Sequence, residues 1–397
     1  MIDLRAARAE PERFRAALAR KGAAERFDAL LAADARWREL VPRVDELRAR
    51  QKLKGKPTPE QLEELGRVKE ELRTVELELV GAEAERDAWL QQVPNPPDPT
   101  APDGASDEDA VEVRRWGDPA PEGPEHTDIG RFELERAARL SGSRFGFVVG
   151  DTALVAFALY RFALDHAAAH GHVPMLPPVL VREEAMYGTG FFPTERSNIY
   201  ALEADELYLT GTSEVALAGF HMSEILDELP LRYAAFSTCF RREAGAAGQD
   251  TRGMFRVHQF NKVELFVYCE PQQSPDEHDR LLAIEEELVQ ALGLPYRVVN
   301  VAAGDLGDSA AKKYDIEAWF PSQQRYREIT STSNTTDFQA RRLGIRYRVG
   351  EKELETPHTL NGTAVADRCL LAVLENFLGD VPDVLRAYGA PGHIERR

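Results

Sequence analysis

Cys239-Phe240-Arg241-Arg242-Glu243, then Ala244-Gly245-Ala246-Ala247-Gly248-Gln249-Asp250-Thr251-Arg252-Gly253, then Met254-Phe255-Arg256-Val257-His258-Gln259-Phe260-Asn261-Lys262-Val263-Glu264 reads as two strands joined by a glycine-rich, charged loop. Side chains on a strand alternate between faces, so Arg241 and Glu243 are expected to share one face of the first strand. On the second, Phe255, Val257, Val263, Leu265 and Val267 are expected to form an apolar face. Phe260 and Glu264 then point the other way, with Arg256 and His258. An arginine, two carboxylates and an aromatic ring converge on one side of a hairpin, a set suited to clamp a phosphate, read an amine and stack a base.

This run resembles motif 2 of the class II aminoacyl-tRNA synthetases and is most similar to that of the seryl-tRNA synthetases: a Phe-Arg-x-Glu start, an Asp-Thr-Arg-Gly loop end and a His-Gln-Phe-x-Lys-Val-Glu exit. Further blocks agree in the family's order. Gly171-His172-Val173-Pro174-Met175-Leu176-Pro177-Pro178 resembles motif 1, which implies a homodimer interface; a proline-rich strand edge is the plain alternative. Leu209-Thr210-Gly211-Thr212-Ser213-Glu214-Val215 resembles the Thr-x-Glu loop for the amino acid. If that loop is extended, Thr212 and Glu214 share a face, and a hydroxyl with a carboxylate suits an ammonium group. A turn bonded to its own backbone would use the same residues. Arg327-Glu328-Ile329-Thr330-Ser331, with Asp337-Phe338-Gln339-Ala340-Arg341-Arg342, looks like the Glu-Ile-Ser-Ser…Asp-Phe-Gln-x-Arg-Arg block, and Glu328 and Ser331 offer the hard oxygens that Mg²⁺ prefers. His358 to Arg368 resembles motif 3. Leu370, Leu371, Leu374 and Phe377 follow at helical spacing, so Arg368 is expected at a helix start.

The resemblance implies ATP-dependent ligation of L-serine to tRNA(Ser), and to tRNA(Sec), through a seryl-adenylate, with Mg²⁺. It implies Arg241 on the α-phosphate and the substrate carboxylate, and Arg368 on the γ-phosphate, as the catalytic pair. Glu328 and Ser331 are implied metal ligands, Phe260 the ring on adenine and Glu243 the acceptor from its amino group. Arg242, Val257, Ile329 and Thr330 complete the implied ATP site. Thr212, Ser213, Glu214, Arg241, Glu264, Asn361 and Thr363 are implied to surround serine.

The rest of the chain agrees. Of 397 residues, 43% are apolar, enough for an ordinary core, and no apolar run reaches the ~18 residues of a membrane span. With no signal-like start, the expected location is cytoplasmic. Cys239, Cys269 and Cys369 are isolated, which argues against structural zinc or a disulfide framework. There is no phosphate loop and no dinucleotide fingerprint. Strand-like segments at 207–210, 231–243, 254–269, 296–301, 315–320 and 326–330, joined without repeated strand–helix units, point to an antiparallel sheet in an α+β fold flanked by helices.

Leu30, Ala33, Trp37, Leu40, Val44 and Leu47, and then Leu65, Val68, Leu72, Val75, Leu79 and Ala82, repeat at steps of three and four, the seam of an antiparallel two-helix coiled coil. Lys54-Gly55-Lys56-Pro57-Thr58-Pro59 breaks the two apart, and Pro42 is expected to bend the first. The domains read as 1–103 (helical, with the arm at about 28–92), a linker at 104–125 and a catalytic domain at 126–397. A formal charge of −18 suits neither a generic nucleic-acid binder nor a DNA partner. Arg36 to Lys56, however, carries eight basic residues against three acidic. Composition alone reads this as a solvated helix attracting its acidic partner; the resemblance makes Arg36, Arg43, Arg48, Arg50, Lys52, Lys54 and Lys56 a grip on tRNA. Two other functions stay open: a relative loading serine for a dedicated pathway or onto a carrier protein, and a non-catalytic tRNA-binding regulator.

Overall fold

The computed structural model describes residues 1–52, 58–244, 253–350 and 353–395. Lys54, Lys56 and the loop residues 245–252 lie outside them. The chain divides into two compact units, Met1–Pro96 and Pro97–Arg397.

In the first unit, helices α1 (Ala24–Arg50) and α2 (Pro59–Gln92) pair along their length. Leu40, Val44 and Leu47 pack with Val68, Leu72, Val75 and Ala82, and Trp37 and Leu79 lie against them, as the three-and-four spacing requires. Thr58 starts α2 with a capping box, its hydroxyl accepting from Gln61 N at 3.3 Å while Gln61 Oε1 accepts from Thr58 N at 2.8 Å. This satisfies donors that a helix start leaves open. Helix α1 runs unbroken through Pro42. A second apolar cluster of Ile2, Leu18, Phe27, Leu30 and Val93 closes the other end of this unit.

The second unit is built on an eight-stranded sheet. In chain order its strands are β1 (Val111–Trp116), β2 (Val173–Met175), β3 (Leu231–Phe240), β4 (Gln259–Cys269), β5 (Tyr296–Asn300), β6 (Lys312–Phe320), β7 (Arg325–Asn334) and β8 (His358–Ala366). Their spatial order is β1-β5-β6-β7-β8-β4-β3-β2. Neighbours are antiparallel except β2 on β3. Within the 104–125 segment, read as a linker and surface loop interrupted by a short strand-like stretch from Val111, Val111–Trp116 is an edge strand of this sheet.

Helices α3 (Asp151–Ala169), α5 (Ser274–Ala291) and α6 (Asp367–Phe377) join the sheet in one core. From the strands come Val263, Leu265 and Val267 of β4 and Leu360 and Ala364 of β8; from the helices come Leu159, Leu281 and Leu370. Phe266 and Tyr268 point to the opposite face, into a smaller cluster with Leu217, Ala340 and Leu343. Both faces of β4 are therefore buried, and the polar pair on its opposite face, Lys262 and Glu264, has to find partners inside the protein. Leu217 belongs to α4 (Glu214–Gly219). The three cysteines are free and buried. Among the described residues no helix is long and apolar enough to cross a membrane.

Candidate active site

The ends of β3 and β4 with β7, β8 and the start of α6 enclose a cavity of about 500 Å³. A slot of about 100 Å³ adjoins it, sharing Arg241, Glu243, Arg256, Lys262, Glu328, Ser331, Thr363 and Arg368 in its walls. The larger space also has Thr212, Glu214, Glu264 and Asn361 in its lining. The slot adds Val257, Phe260, Ile329 and Thr330, with Met254, Phe255 and Ala366. Residues expected at the site from separate stretches of sequence therefore meet at one place. Ser213 and Arg242 do not line it: Ser213 is buried at the start of α4, and the Arg242 guanidinium lies 5.9 Å from the Tyr200 ring centre.

Local geometry corrects several expectations. The strand carrying the arginine stops at Phe240, so strand alternation does not align Arg241 with Glu243. Instead Arg241 N donates to His258 O at 2.9 Å, and Glu243 adopts φ +51°, the left-handed region that is costly for a residue with a Cβ. Arg256 Nη1 donates to Glu243 Oε2 at 2.7 Å. The second strand begins at Gln259 rather than Met254. His258 is turned away from the cavity, its Nδ1 lying 2.9 Å from Arg241 O and its ring packing on Phe145. Nor is the Thr212–Glu214 loop extended: Glu214 begins α4, and its N–H donates to Thr212 Oγ1 at 3.2 Å. Both side chains still reach the cavity, one from a turn and one from a helix.

Strand β7 shows how a local irregularity makes the site. Ile316 pairs with Thr330, but the next residue, Glu317, pairs with Glu328, so Ile329 is an extra residue. Such a bulge re-aims the chain. Without it, Glu328 would face away from Ser331 and Ser333; with it, all three line the same cavity.

Three groups of charge occupy the space. On one side, Arg241, Arg256 and Arg368 line the slot together with Phe255, Val257 and Phe260. The Arg241 guanidinium lies 5.1 Å from the Phe260 ring centre, and its Nε donates to Gly211 O at 3.2 Å. Arg368 donates to Glu328 O at 3.1 Å and to Glu328 Oε2 at 3.2 Å.

In the middle, burial alone would raise the Glu328 carboxyl, but Lys313, Arg368 and Arg241 outweigh it and hold the group well below its usual range. Lys313 is itself paired with Asp315 at 2.9 Å.

The third group is buried at the far side. Lys262 forms a short ion pair with Glu264 and donates to Thr212 Oγ1 at 2.8 Å. Thr363 Oγ1 donates to Glu264 Oε2 at 3.3 Å. Lys262 and Glu264 are 6% and 2% exposed, so each depends on the other. Burial raises the Glu264 carboxyl while Lys262 opposes the rise. Glu214, half-buried, is pushed up to about 7, by desolvation first and then by Glu264; Gln339 Nε2 donates to its Oε1 at 2.7 Å.

Sequence reasoning gave no role to Lys262, Lys313 or Asp305, all of which line the cavity. The signal for Lys262 was its spacing: it lies between Phe260 and Glu264 on the same strand face. In the arm, Arg36, Arg43, Arg48 and Arg50 reach acids on the partner helix: Glu85 at 3.6 Å, Glu71 at 3.2 Å, Glu76 at 2.9 Å and Glu64 at 2.7 Å.

Residues 1–97 match the family described as Seryl-tRNA synthetase N-terminal domain, and residues 199–377 match the tRNA synthetase class II core domain (G, H, P, S and T). The chain is 47% identical to a serine–tRNA ligase of Thermobifida fusca and 48% identical to one of Streptomyces coelicolor. In both cases 98% of this chain and 97% of the relative are covered. A crystal structure of seryl-tRNA synthetase from Pyrococcus horikoshii complexed with ATP superposes with a TM-score of 0.93 at 37% identity, covering 99% of each chain. The cytoplasmic serine–tRNA ligase of Naegleria fowleri in complex with AMP gives 0.88 at 34% identity, covering 97% of this chain and 95% of the other.

Proposed function

The chain belongs to the seryl-tRNA synthetases, and from that membership we propose that it ligates L-serine to tRNA(Ser), with tRNA(Sec) as a second acceptor, by way of a seryl-adenylate made from ATP. The observation that carries this reading is the pairing of a slot that sets Phe255, Val257 and Phe260 beside three arginines with a cavity wall that carries the buried Lys262, Glu264, Thr212 and Thr363. The first suits a nucleotide and the second a small amino acid with a hydroxyl group.

In the first step the serine carboxylate attacks the α-phosphorus of ATP, a P–O bond forms, and pyrophosphate leaves. Two anions must meet while charge builds on phosphate oxygens, and fixed cations in an enclosed site answer that need. Arg241, shared by slot and pocket, is assigned to the α-phosphate and the serine carboxylate. Arg368 is assigned to the γ-phosphate, and Glu243 accepts from the adenine amino group as Phe260 stacks on the ring. Val257, Ile329 and Thr330 wall the nucleotide. Asn361, Thr363 and Glu264 receive the serine hydroxyl side, and Thr212 and Glu214 the ammonium side. In the second step a ribose hydroxyl at the tRNA terminus takes the seryl group and AMP leaves.

Glu328, kept ionised by its cationic neighbours, and the Ser331 hydroxyl supply hard oxygens that fit Mg²⁺. Bound there, the ion would neutralise charge on the phosphate oxygens. Homodimerisation is assigned to β2, the sheet edge carrying Val173, 56% exposed, and running into Leu176, 82% exposed.

The arm favours tRNA over a carrier protein as acceptor. Arg36, Arg43, Arg48 and Arg50 are engaged in half-exposed ion pairs, which hold little free energy, about 0–1 kcal/mol each, so phosphates can displace the acids. Replacing Arg48 and Lys52 with glutamate should leave serine-dependent ATP–pyrophosphate exchange intact. It should weaken tRNA charging and lower the salt slope of tRNA binding by about 1 for each phosphate no longer neutralised. An unchanged salt slope would remove these residues from the interface.

Serine recognition should also depend on pH. With its carboxyl near 7, Glu214 is protonated below that pH and cannot pair with the substrate ammonium. The apparent KM for serine should therefore fall as pH rises through about 7, and Glu214→Gln should flatten that profile. A profile identical in the variant would take Glu214 out of serine binding.

A further inference from the structure

His166 and His170 are one turn apart at the end of α3, so their rings lie on one face. Glu287 meets them from α5. None of the three lines the cavity described above. Glu287 Oε2 lies 2.9 Å from His166 Nε2 and 3.1 Å from His170 Nε2. One candidate ligand atom from each residue falls within 4.8 Å of the others.

The hydrogen bonding makes this contact chemically incomplete. His170 Nδ1 lies 3.0 Å from His166 O. A carbonyl only accepts, so Nδ1 carries the proton, and in the neutral ring Nε2 is a bare lone pair. That lone pair faces a carboxylate oxygen, which is also an acceptor, and a second imidazole nitrogen approaches the same oxygen. Something positive has to sit among the three atoms. A proton on the His170 Nε2 is one answer. A metal ion is the other. A tetrahedral ion with bonds of about 2.0–2.1 Å holds its ligands roughly 3.3 Å apart, close to the two histidine–carboxylate separations of 2.9 and 3.1 Å. A histidine that donates its remaining N–H to a backbone carbonyl is also the usual outer arrangement of a metal ligand.

We propose that His166, His170 and Glu287 form a site for one divalent transition-metal ion of the zinc type, held by two imidazole nitrogens and one carboxylate oxygen, with water completing its shell. The donor set selects zinc-like ions over magnesium and calcium, which favour all-oxygen surroundings. The side chains are 21%, 29% and 49% exposed, so an ion has a route in from solvent. Occupied, the site ties the end of α3 to α5, two of the helices that join the sheet in one core.

The test is calorimetric titration of the chelator-treated, desalted full-length protein with zinc chloride. One equivalent should bind at micromolar metal. The His166→Ala/His170→Ala pair should abolish that binding, and Glu287→Gln should weaken it by roughly tenfold or more. Zinc should raise the melting temperature of the unaltered protein and not that of the double variant. The metal-free melting temperatures report whether the variant still folds. Cobalt in place of zinc should give visible absorption of a low-symmetry nitrogen–oxygen site. The proposal is overturned if the unaltered protein binds no stoichiometric zinc, if magnesium competes on equal terms, or if binding survives in the double variant. Serine-dependent exchange should be the same in all variants.

Discussion

Replacing Arg241 with alanine should lower serine-dependent ATP–pyrophosphate exchange by about 10²–10³-fold, the cost of removing one pre-organised donor from a developing oxyanion. Arg241 lines the large cavity and the slot together, as Arg256 and Arg368 do, and of the three it alone is shown bonded to the Gly211 carbonyl beside Thr212. Its Nε is anchored on Gly211 O, and its plane lies beside Phe260, which leaves the outer guanidinium nitrogens for a ligand. Lysine at this position should recover little, since an ammonium cannot reproduce a planar fork that binds two oxygens at once. The loss should appear mainly in kcat, with nucleotide binding reduced less, because the arginine meets most of its new charge in the transition state. An Arg241→Ala enzyme within a few-fold of normal would remove this residue from the centre of the chemistry.

Glu264→Gln should lose serine activation while the protein stays folded and still binds ATP. Glutamine keeps the volume but drops the charge that faces Lys262. Alanine is the harsher test: it too leaves a buried ammonium without its acid, a change that costs about 3–5 kcal/mol of stability, and it also removes the neutral oxygen and the volume that glutamine keeps. The pair of variants separates loss of recognition from loss of fold. The same residues explain selectivity. On the proposed assignment, Glu264 and Thr363 give a substrate hydroxyl hydrogen bonds that alanine cannot make, and a site built to bind a hydroxyl discriminates by up to about 10⁴–10⁵. That ratio should collapse in Glu264→Gln. Threonine carries the hydroxyl and has to be refused by shape, so its exclusion should change less. Near-normal serine activation by Glu264→Gln would take Glu264 out of the specificity pocket.

The coiled-coil arm was legible because its seam depends on local spacing: every position from Leu30 to Ala82 in the two runs except Trp37, Leu65 and Leu79 is buried. The β4 apolar face was legible for the same reason, since alternation at 263, 265 and 267 needs no knowledge of distant chain. What sequence could not reveal comes from tertiary contact. Lys262 reads as a solvated charge until β8 and the turn before α4 close over it. Glu328 joins Ser331 only through the extra residue at Ile329, a bulge set by pairing with β6. Alternation beyond Phe240 failed because the strand ends there and Glu243 takes a left-handed conformation. Lys313 sits on a separate strand, and its influence on Glu328 is a matter of distance in space. The arm arginines were legible as a basic run, but their pairing with Glu71, Glu76 and Glu64 follows from the register of two helices.

The most direct measurement compares serine, threonine, alanine and glycine in ATP–pyrophosphate exchange and then follows transfer to tRNA(Ser) in the same preparation. Exchange with serine alone, followed by charging, is the expected result. Exchange with serine but no charging would contradict the tRNA assignment and point to another acceptor. No exchange with serine would contradict the assignment of the cavity itself.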